Sequence, residues 1–277
     1  MDLGIHGGNA GAVSTPADTA RLARAAEQLG YRSWWAPDHV VLPSPRSPAS
    51  PMDPAEPILD PLVHLGFVAA VTERIELATG IVILPQREPL VLAKQAASLD
   101  ALSGGRFRLG IGAGYLEPEL AAFGVSLAER GARTEEYLDV LDTLWKDEKP
   151  EYHGKYVSFA NVDAHPRPTA PRVLIGGTSP AAYRRAARRT HGWLGVGNSP
   201  AELAEQLAGV RRAIRRADRA EPLETSFLHG SPDISADDIR RYADLGLDEL
   251  VIHVLPLNDT NATLELMEKH AELLETI

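Results

Sequence analysis

Eight short apolar segments, each followed by a stretch with helical periodicity, recur along the 277 residues. The apolar segments are LGIH (3–6), RSWWA (32–36), IELATGIVIL (75–84), RFRLGIGAG (106–114), RVLIGG (172–177), WLGVG (193–197), ETSFLHG (224–230) and ELVIHVL (249–255). The helical patterns lie at 15–30, 60–72, 89–105, 129–146, 179–192, 199–218, 234–246 and 261–277. The first shows the signature in full: Thr15 is placed to cap, Pro16 sits just inside, Leu22, Ala25, Ala26 and Leu29 form a stripe, and Gly30 is the stop. Alternation of this length specifies a parallel sheet with helices outside it, and eight units fit a closed (β/α)8 TIM barrel. A doubly wound open sheet is the alternative. No composition shift marks a linker, so one domain over 1–277 is expected. Insertion loops interrupt the plan: residues 43–61 carry seven prolines, and 151–159 read as a hairpin turning at His153-Gly154. Long irregular loops are usually functional or disordered.

In a barrel of this kind chemistry sits where strands end and loops begin. That rule brings His6, Asp38-His39, Thr79-Gly80, Gly112-Ala113-Gly114, Gly176-Gly177, His229 and His253 to one rim. In WWAPDHV (34–40) one tryptophan faces the barrel interior and the other the helix layer, Pro37 ends the strand, and Asp38-His39 is delivered to the open face. An unperturbed imidazole titrates near neutrality, which suits His39 to acid–base work; the alternative is that Asp38 caps a turn and His39 only hydrogen-bonds. Gly80 inside an apolar strand marks a bulge or a close backbone approach, or simply tight packing. LGIGAGY (109–115) is not a dinucleotide fingerprint, because the third glycine is replaced by Tyr115. IGGTSPAAY (175–183) ends a strand in Gly176-Gly177 and places Thr178 and Ser179 at a helix start, where free N–H groups and the helix dipole suit a phosphate. VGNSPAEL (196–203) has the same form.

The formal net charge of −10 argues against nucleic acid or a polybasic membrane contact, and the basic run RRAARR (184–189) is expected to be a solvated helix face. The absence of cysteine excludes disulfides, thiolate metal sites and a cysteine nucleophile. No His-x-His pair points to a metal, and no Gly-x-Ser-x-Gly elbow to a serine hydrolase. Neither a secretory leader nor a membrane span is visible, so a soluble cytoplasmic protein is expected.

Several strings together resemble the bacterial luciferase-like monooxygenase family, in its branch of oxidoreductases that use the deazaflavin coenzyme F420. They are ARAAEQLGYRSWWAPDHV, TERIELATGIVILPQREPLVLAKQAASLDALSGGRFRLGIGAGY, FGVSLAERGARTEEYLDVLDTLW, YHGKYVSF and VLIGGTSPAAYRRAARRTHGWL, and they cover most of 20–195 in order. The resemblance implies a cofactor ring, F420 or alternatively FMN, at the C-terminal mouth of the barrel. It implies a non-proline cis peptide at Gly80–Ile81 behind that ring. Thr79, Gly80, Ile81, Gly112, Ala113 and Gly114 are then expected around the ring, and Gly176, Gly177, Thr178 and Ser179 around its phosphate. Asp38 and His39 match the acidic–histidine pair that lies beside the ring in several deazaflavin enzymes, with His39 the expected general acid or base and Asp38 orienting it or raising its pKa, and His6, Trp35, Tyr115 and His253 are expected to line the pocket of a small organic substrate. Sugar-phosphate dehydrogenases of the family carry a glutamate where this chain has Tyr115; Glu117 is the expected replacement. The resemblance also implies a homodimer. A barrel that only binds flavin is the non-catalytic alternative.

Overall fold

Parallel pairing runs all the way round the sheet and returns to its start. The computed structural model describes residues 1–169, 171–254 and 259–275. Its strands are β1 (Asp2–His6), β2 (Ser33–Ala36), β3 (Glu76–Thr79), β4 (Val82–Ile83), β5 (Phe107–Gly112), β6 (Tyr152–His153), β7 (Ser158–Phe159), β8 (Arg172–Gly176), β9 (Gly192–Gly197), β10 (Glu224–His229) and β11 (Glu249–His253). The order β3-β2-β1-β11-β10-β9-β8-β5-β4, with β3 also paired to β5, closes a cylinder of eight parallel staves in which β3 and β4 are two halves of one. Outside it lie α1 (Pro16–Gln28), α2 (Pro61–Val71), α3 (Pro89–Ser103), α4 (Glu117–Ala122), α5 (Arg130–Lys146), α6 (Pro180–Arg189), α7 (Pro200–Ala217), α8 (Ala236–Asp244) and α9 (Thr260–Glu275). This is the (β/α)8 barrel that the alternation implies.

Five helices start by one device. Thr15, Asp60, Glu88, Ser179 and Ser199 each accept an N–H of the first turn, and a proline follows each at a position that has no N–H to satisfy. Three features depart from the sequence reading. The apolar run 75–84 is not one strand: it breaks at Gly80–Ile81, whose non-proline cis peptide is the one the family resemblance implies, and it ends in a 3₁₀ turn, Leu84–Gln86. Helix α4, short and acidic, has too little apolar periodicity to be visible. The hairpin pairs only Tyr152–His153 with Ser158–Phe159. Leu255 of the expected last strand and residues 276–277 of the expected last helix lie outside the described residues.

The interior is filled in layers. At the N-terminal end of the barrel Arg108, fully buried, donates to Glu249, Glu224 and Glu76 at 2.8, 3.0 and 3.2 Å. Burial works to raise the Glu249 carboxyl, but Arg108 and a hydrogen bond from Ser33 hold it below its ordinary value. Above this, Trp35 packs with Ala78, Leu174, Leu194 and Val251. Its ring lies 4.9 Å from the Arg108 guanidinium, and its Nε1 donates to Ser33. The next layer, at the C-terminal rim, holds His6 and His253, which are register neighbours. Trp34 turns the other way and donates from Nε1 to Nε2 of His64 on α2, at 2.9 Å.

Burial lowers His64 to about 4 and His253 to about 4, and burial with repulsion from His253 lowers His6 to about 3. Each folded-state value lies below the unfolded one, so the unfolded chain takes up protons that the folded chain refuses. The stability from these rings is complete above the unfolded value, near 6.5, and is lost as pH falls from there toward the folded values. Denaturant titrations at pH 7.5 and 5.5 should show a lower midpoint in acid, with a slope of about 1.4 kcal/mol per pH unit for each ring at full differential protonation. His64→Gln keeps an acceptor for Trp34 and should make that dependence shallower.

Candidate active site

The floor of the rim is built by Ile81. The break after β3 turns this side chain inward, half-buried, across the mouth. A Cβ on Gly112 would lie 2.6 Å from Ile81 Cδ1, and one on Gly176 would lie 2.7 Å from Ile81 Cγ2. A Cβ on Gly110 would lie 2.0 Å from the Thr79 carbonyl oxygen. These glycines therefore make room for the bulge. Gly114, at φ +80°, serves Ile83 and Leu120 in the same way. The sequence reading gave Gly112, Gly114 and Gly176 to a ligand, and the packing gives them first to isoleucine. Thr79 is also corrected: it is fully buried, and its hydroxyl is spent on the Gly110 carbonyl at 2.7 Å. Gly80 is itself half-buried, and a Cβ there would meet His6 Cδ2 at 3.0 Å.

Beside this floor stands His39. Its Nδ1 donates to Glu119 Oε2 at 2.8 Å. Glu119, on α4, is 1% exposed, and its other oxygen accepts from Val40 N–H at 3.0 Å and from Gln86 Nε2 at 3.2 Å. The carboxylate is thus held by three donors, and it fixes the imidazole with the hydrogen on Nδ1. Among the described residues nothing bonds Nε2, and the ring meets Tyr115 edge to face at 6.2 Å. Tyr115 itself is 54% exposed.

Asp38 does not orient His39. It is buried, accepts Ile83 N–H at 3.1 Å and pairs with Arg87 through both carboxylate oxygens. Burial pushes its carboxyl up, against the pull of Arg87. Arg87 also bonds Asp60, at 2.6 Å, so one guanidinium ties down both ends of the proline-rich loop. Asn9, fully buried, adds a second tie by donating to Pro37 and Leu59 carbonyls at 3.0 and 2.8 Å. The partner of His39 is Glu119, not Asp38, and not the exposed Glu117. Sequence reasoning missed Glu119, Arg87 and Asn9. The only signal was a Glu-Pro-Glu run close after the fourth strand.

Across the mouth, Gly177 sits at φ +127° and donates its N–H to the Leu194 carbonyl, while its own carbonyl accepts from Trp193 Nε1 at 2.9 Å. Thr178 and Ser179 are exposed, and Ser179 caps α6 by accepting Ala182 N–H. Among the described residues the N–H groups of Thr178, Ser179 and Ala181 have no acceptor, so the turn presents donors at the positive end of a helix. Ala113 is half-buried at the rim, and Val196 is 48% exposed there. Trp35 is corrected from pocket wall to core, being fully buried. His229 faces outward to Tyr242 on α8, at 3.0 Å. His6 and His253 meet on the floor, Nδ1 to Nδ1 at 2.8 Å. No group of three or more potential ligands that could hold a metal occurs among the described residues.

The rim thus combines an apolar floor, a carboxylate-backed imidazole and a turn of free N–H donors. Comparison with known proteins agrees with this reading of the fold. The model of the luciferase-like monooxygenases matches residues 2–232. An uncharacterized protein of Mycobacterium tuberculosis is 34% identical over 83% of this chain and 92% of its own length. An F420-dependent glucose-6-phosphate dehydrogenase of Nakamurella multipartita is 32% identical over 75% of this chain and 62% of its own. A monooxygenase from Streptomyces bottropensis superposes with a TM-score of 0.81 at 24% identity, covering 100% of this chain and 99% of its own. An F420-dependent secondary alcohol dehydrogenase, solved with an F420–acetone adduct, superposes at 0.78 with 17% identity and 97% of both chains.

If Gly176 exists to seat Ile81, Gly176→Ala should destabilise the unliganded protein by about 1–3 kcal/mol. Adding Ile81→Ala should recover part of that loss, and the two changes should be non-additive in a denaturation cycle. Strict additivity would mean that the glycine serves something else.

Proposed function

The chain belongs to the luciferase-like monooxygenase family, and from that premise we propose that it is an oxidoreductase that moves a hydride between coenzyme F420 and a small organic substrate. The observation that carries the reading is the His39–Glu119 pair, a fixed imidazole with a free Nε2 at the rim. The deazaflavin, when bound, supplies the hydride-exchanging carbon. The chain's own residues do the rest. Thr178, Ser179 and the start of α6 offer N–H and hydroxyl donors to a phosphate. Ile81 provides an apolar floor, and Tyr115 and Val196 reduce access of water. His39 takes or gives the proton of the substrate at Nε2, and Glu119 stabilises the positive ring that results. Relatives named for F420-dependent activity support the choice of cofactor.

A titration followed by fluorescence or absorbance tests this. F420 should bind, and FMN should bind more weakly. His39→Ala should lower turnover by about 10²–10⁴-fold while leaving F420 affinity within a few-fold. Binding of FMN alone, or binding of F420 with no effect of His39→Ala, overturns the proposal.

The same reading includes a homodimer. Helix α2, PLVHLGFVAAV, is apolar all round, which suits a buried helix, yet Val63 and Phe67 on its outer face are 72% and 39% exposed and Val91 on α3 is 53% exposed. Light scattering should give twice the chain mass, and Val63→Glu with Phe67→Glu should give the monomer.

A further inference from the structure

The two histidines of the floor form a chain whose protons can be assigned from geometry. His6 Nε2 lies 2.9 Å from the Gly80 carbonyl oxygen, and His6 Nδ1 lies 2.8 Å from His253 Nδ1. A carbonyl oxygen only accepts, so His6 Nε2 carries hydrogen. A neutral imidazole has one N–H, so His6 Nδ1 is bare. Two bare nitrogens would repel at 2.8 Å, so His253 Nδ1 carries the hydrogen between them. His253 Nε2 is then a lone pair. Every other neutral arrangement places two lone pairs, or two hydrogens, against each other.

The frame around the chain is rigid. β1 and β11 pair in register at these two residues, and the His6 carbonyl accepts Val254 N–H at 3.1 Å. A Cβ on Gly80 would lie 3.0 Å from His6 Cδ2 and 3.2 Å from Trp35 Cε3, so both rings crowd this glycine. The other ionised groups near the mouth are engaged elsewhere: Glu119 with His39, and Arg87 with Asp38 and Asp60. Among the described residues no charged side chain bonds either ring, and nothing bonds His253 Nε2. The low values of both rings, about 3 and about 4, agree with neutrality at pH 7.

We infer that His253 presents an unprotonated Nε2 to the rim as a fixed hydrogen-bond acceptor, its tautomer set through His6 by the Gly80 carbonyl, so that the molecule seated there must offer it an N–H or O–H. Resting on the reading of the rim as the ligand site, this makes His253 a specificity residue. A hydroxyl, an amide N–H or an ammonium is favoured at that edge of the pocket, and a carbonyl or carboxylate oxygen is rejected because it would oppose a lone pair. Its role differs from that of His39. The carboxylate behind His39 stabilises a positive ring, whereas the relay behind His253 ends on a neutral carbonyl.

Nitrogen-15 spectra of the unliganded protein with labelled histidine rings test the relay directly. His253 should show a bare Nε2 and a protonated Nδ1, and His6 the reverse, unchanged from pH 8 to 5.5. Assignment comes from loss of signals in His253→Gln and His6→Gln. A His253 ring protonated at Nε2, or either ring charged above pH 5.5, overturns the relay. Saturation with F420, or with FMN if that is the ring that binds, should move the His253 Nε2 signal to the hydrogen-bonded position. His253→Phe should weaken that ligand or raise the substrate KM by about 10-fold, the loss of one hydrogen bond. A signal that ignores the bound ring and substrate together overturns the acceptor role. If neither F420 nor FMN binds, the functional reading falls while the unliganded spectrum still decides the relay.

Discussion

A closed barrel of eight strands has an interior just wide enough for its own side chains, and everything else in this structure follows from how that space is filled. Trp35 stacked on Arg108 is the plug. The guanidinium is fully buried, so it is tenable only with Glu76, Glu224 and Glu249 around it; removing one partner from a buried ion cluster costs several kcal/mol. With charge at the N-terminal end of the barrel and indole in the middle, no room remains inside for a ligand. Chemistry is left to the C-terminal rim.

The rim is then shaped by one side chain. Because the third stave breaks at Gly80–Ile81, Ile81 leaves the alternation of its strand and crosses the mouth. Opposite it, strands β5 and β8 carry glycine where a larger residue would collide. The same glycines that read as a ligand's cradle are therefore a lock-and-key contact between strand and bulge, which gives any ligand a smooth floor. Most polar side chains around this floor are engaged, although among the described residues Asn9 Oδ1 and Gln86 Oε1 are buried without a partner. Asp38 serves Arg87, Asn9 serves the loop backbone, and Thr79 serves Gly110. Among the described residues, the groups left available include the Nε2 of His39, the Nε2 of His253 and the N–H groups of Thr178, Ser179 and Ala181.

Most of the scaffold was legible because its rules are local. Cap-proline starts such as Ser179-Pro180, apolar runs of strand length and glycine stops depend on neighbours in sequence. The rim position of His39 followed from the fold and a strand-ending proline. Its partner did not. Glu119 lies 80 residues away in a helix of six residues, and its role rests on burial that no periodicity announces. Asp38 next to His39 looked like its partner because adjacency is visible, but consecutive residues at a strand end point apart. Arg87, which captures Asp38, lies at the end of a 3₁₀ turn that the sequence presents as the end of a strand. Legibility failed where a tertiary contact between charged groups competes with a sequential one.

The two imidazoles of the rim show how one residue type is made to do two jobs. The property that matters is what stands behind each ring. The carboxylate of Glu119 behind His39 accepts from Nδ1, fixes the hydrogen there and leaves Nε2 facing the rim. A neutral chain ending on a carbonyl behind His253 supplies no such charge. Burial therefore dominates, and the ring stays a bare acceptor. The barrel achieves the difference by position: His39 stands on a loop beyond its strand, where a helix from another loop can bring a carboxylate, whereas His253 ends a strand inside the cylinder, where only neighbouring staves can reach it.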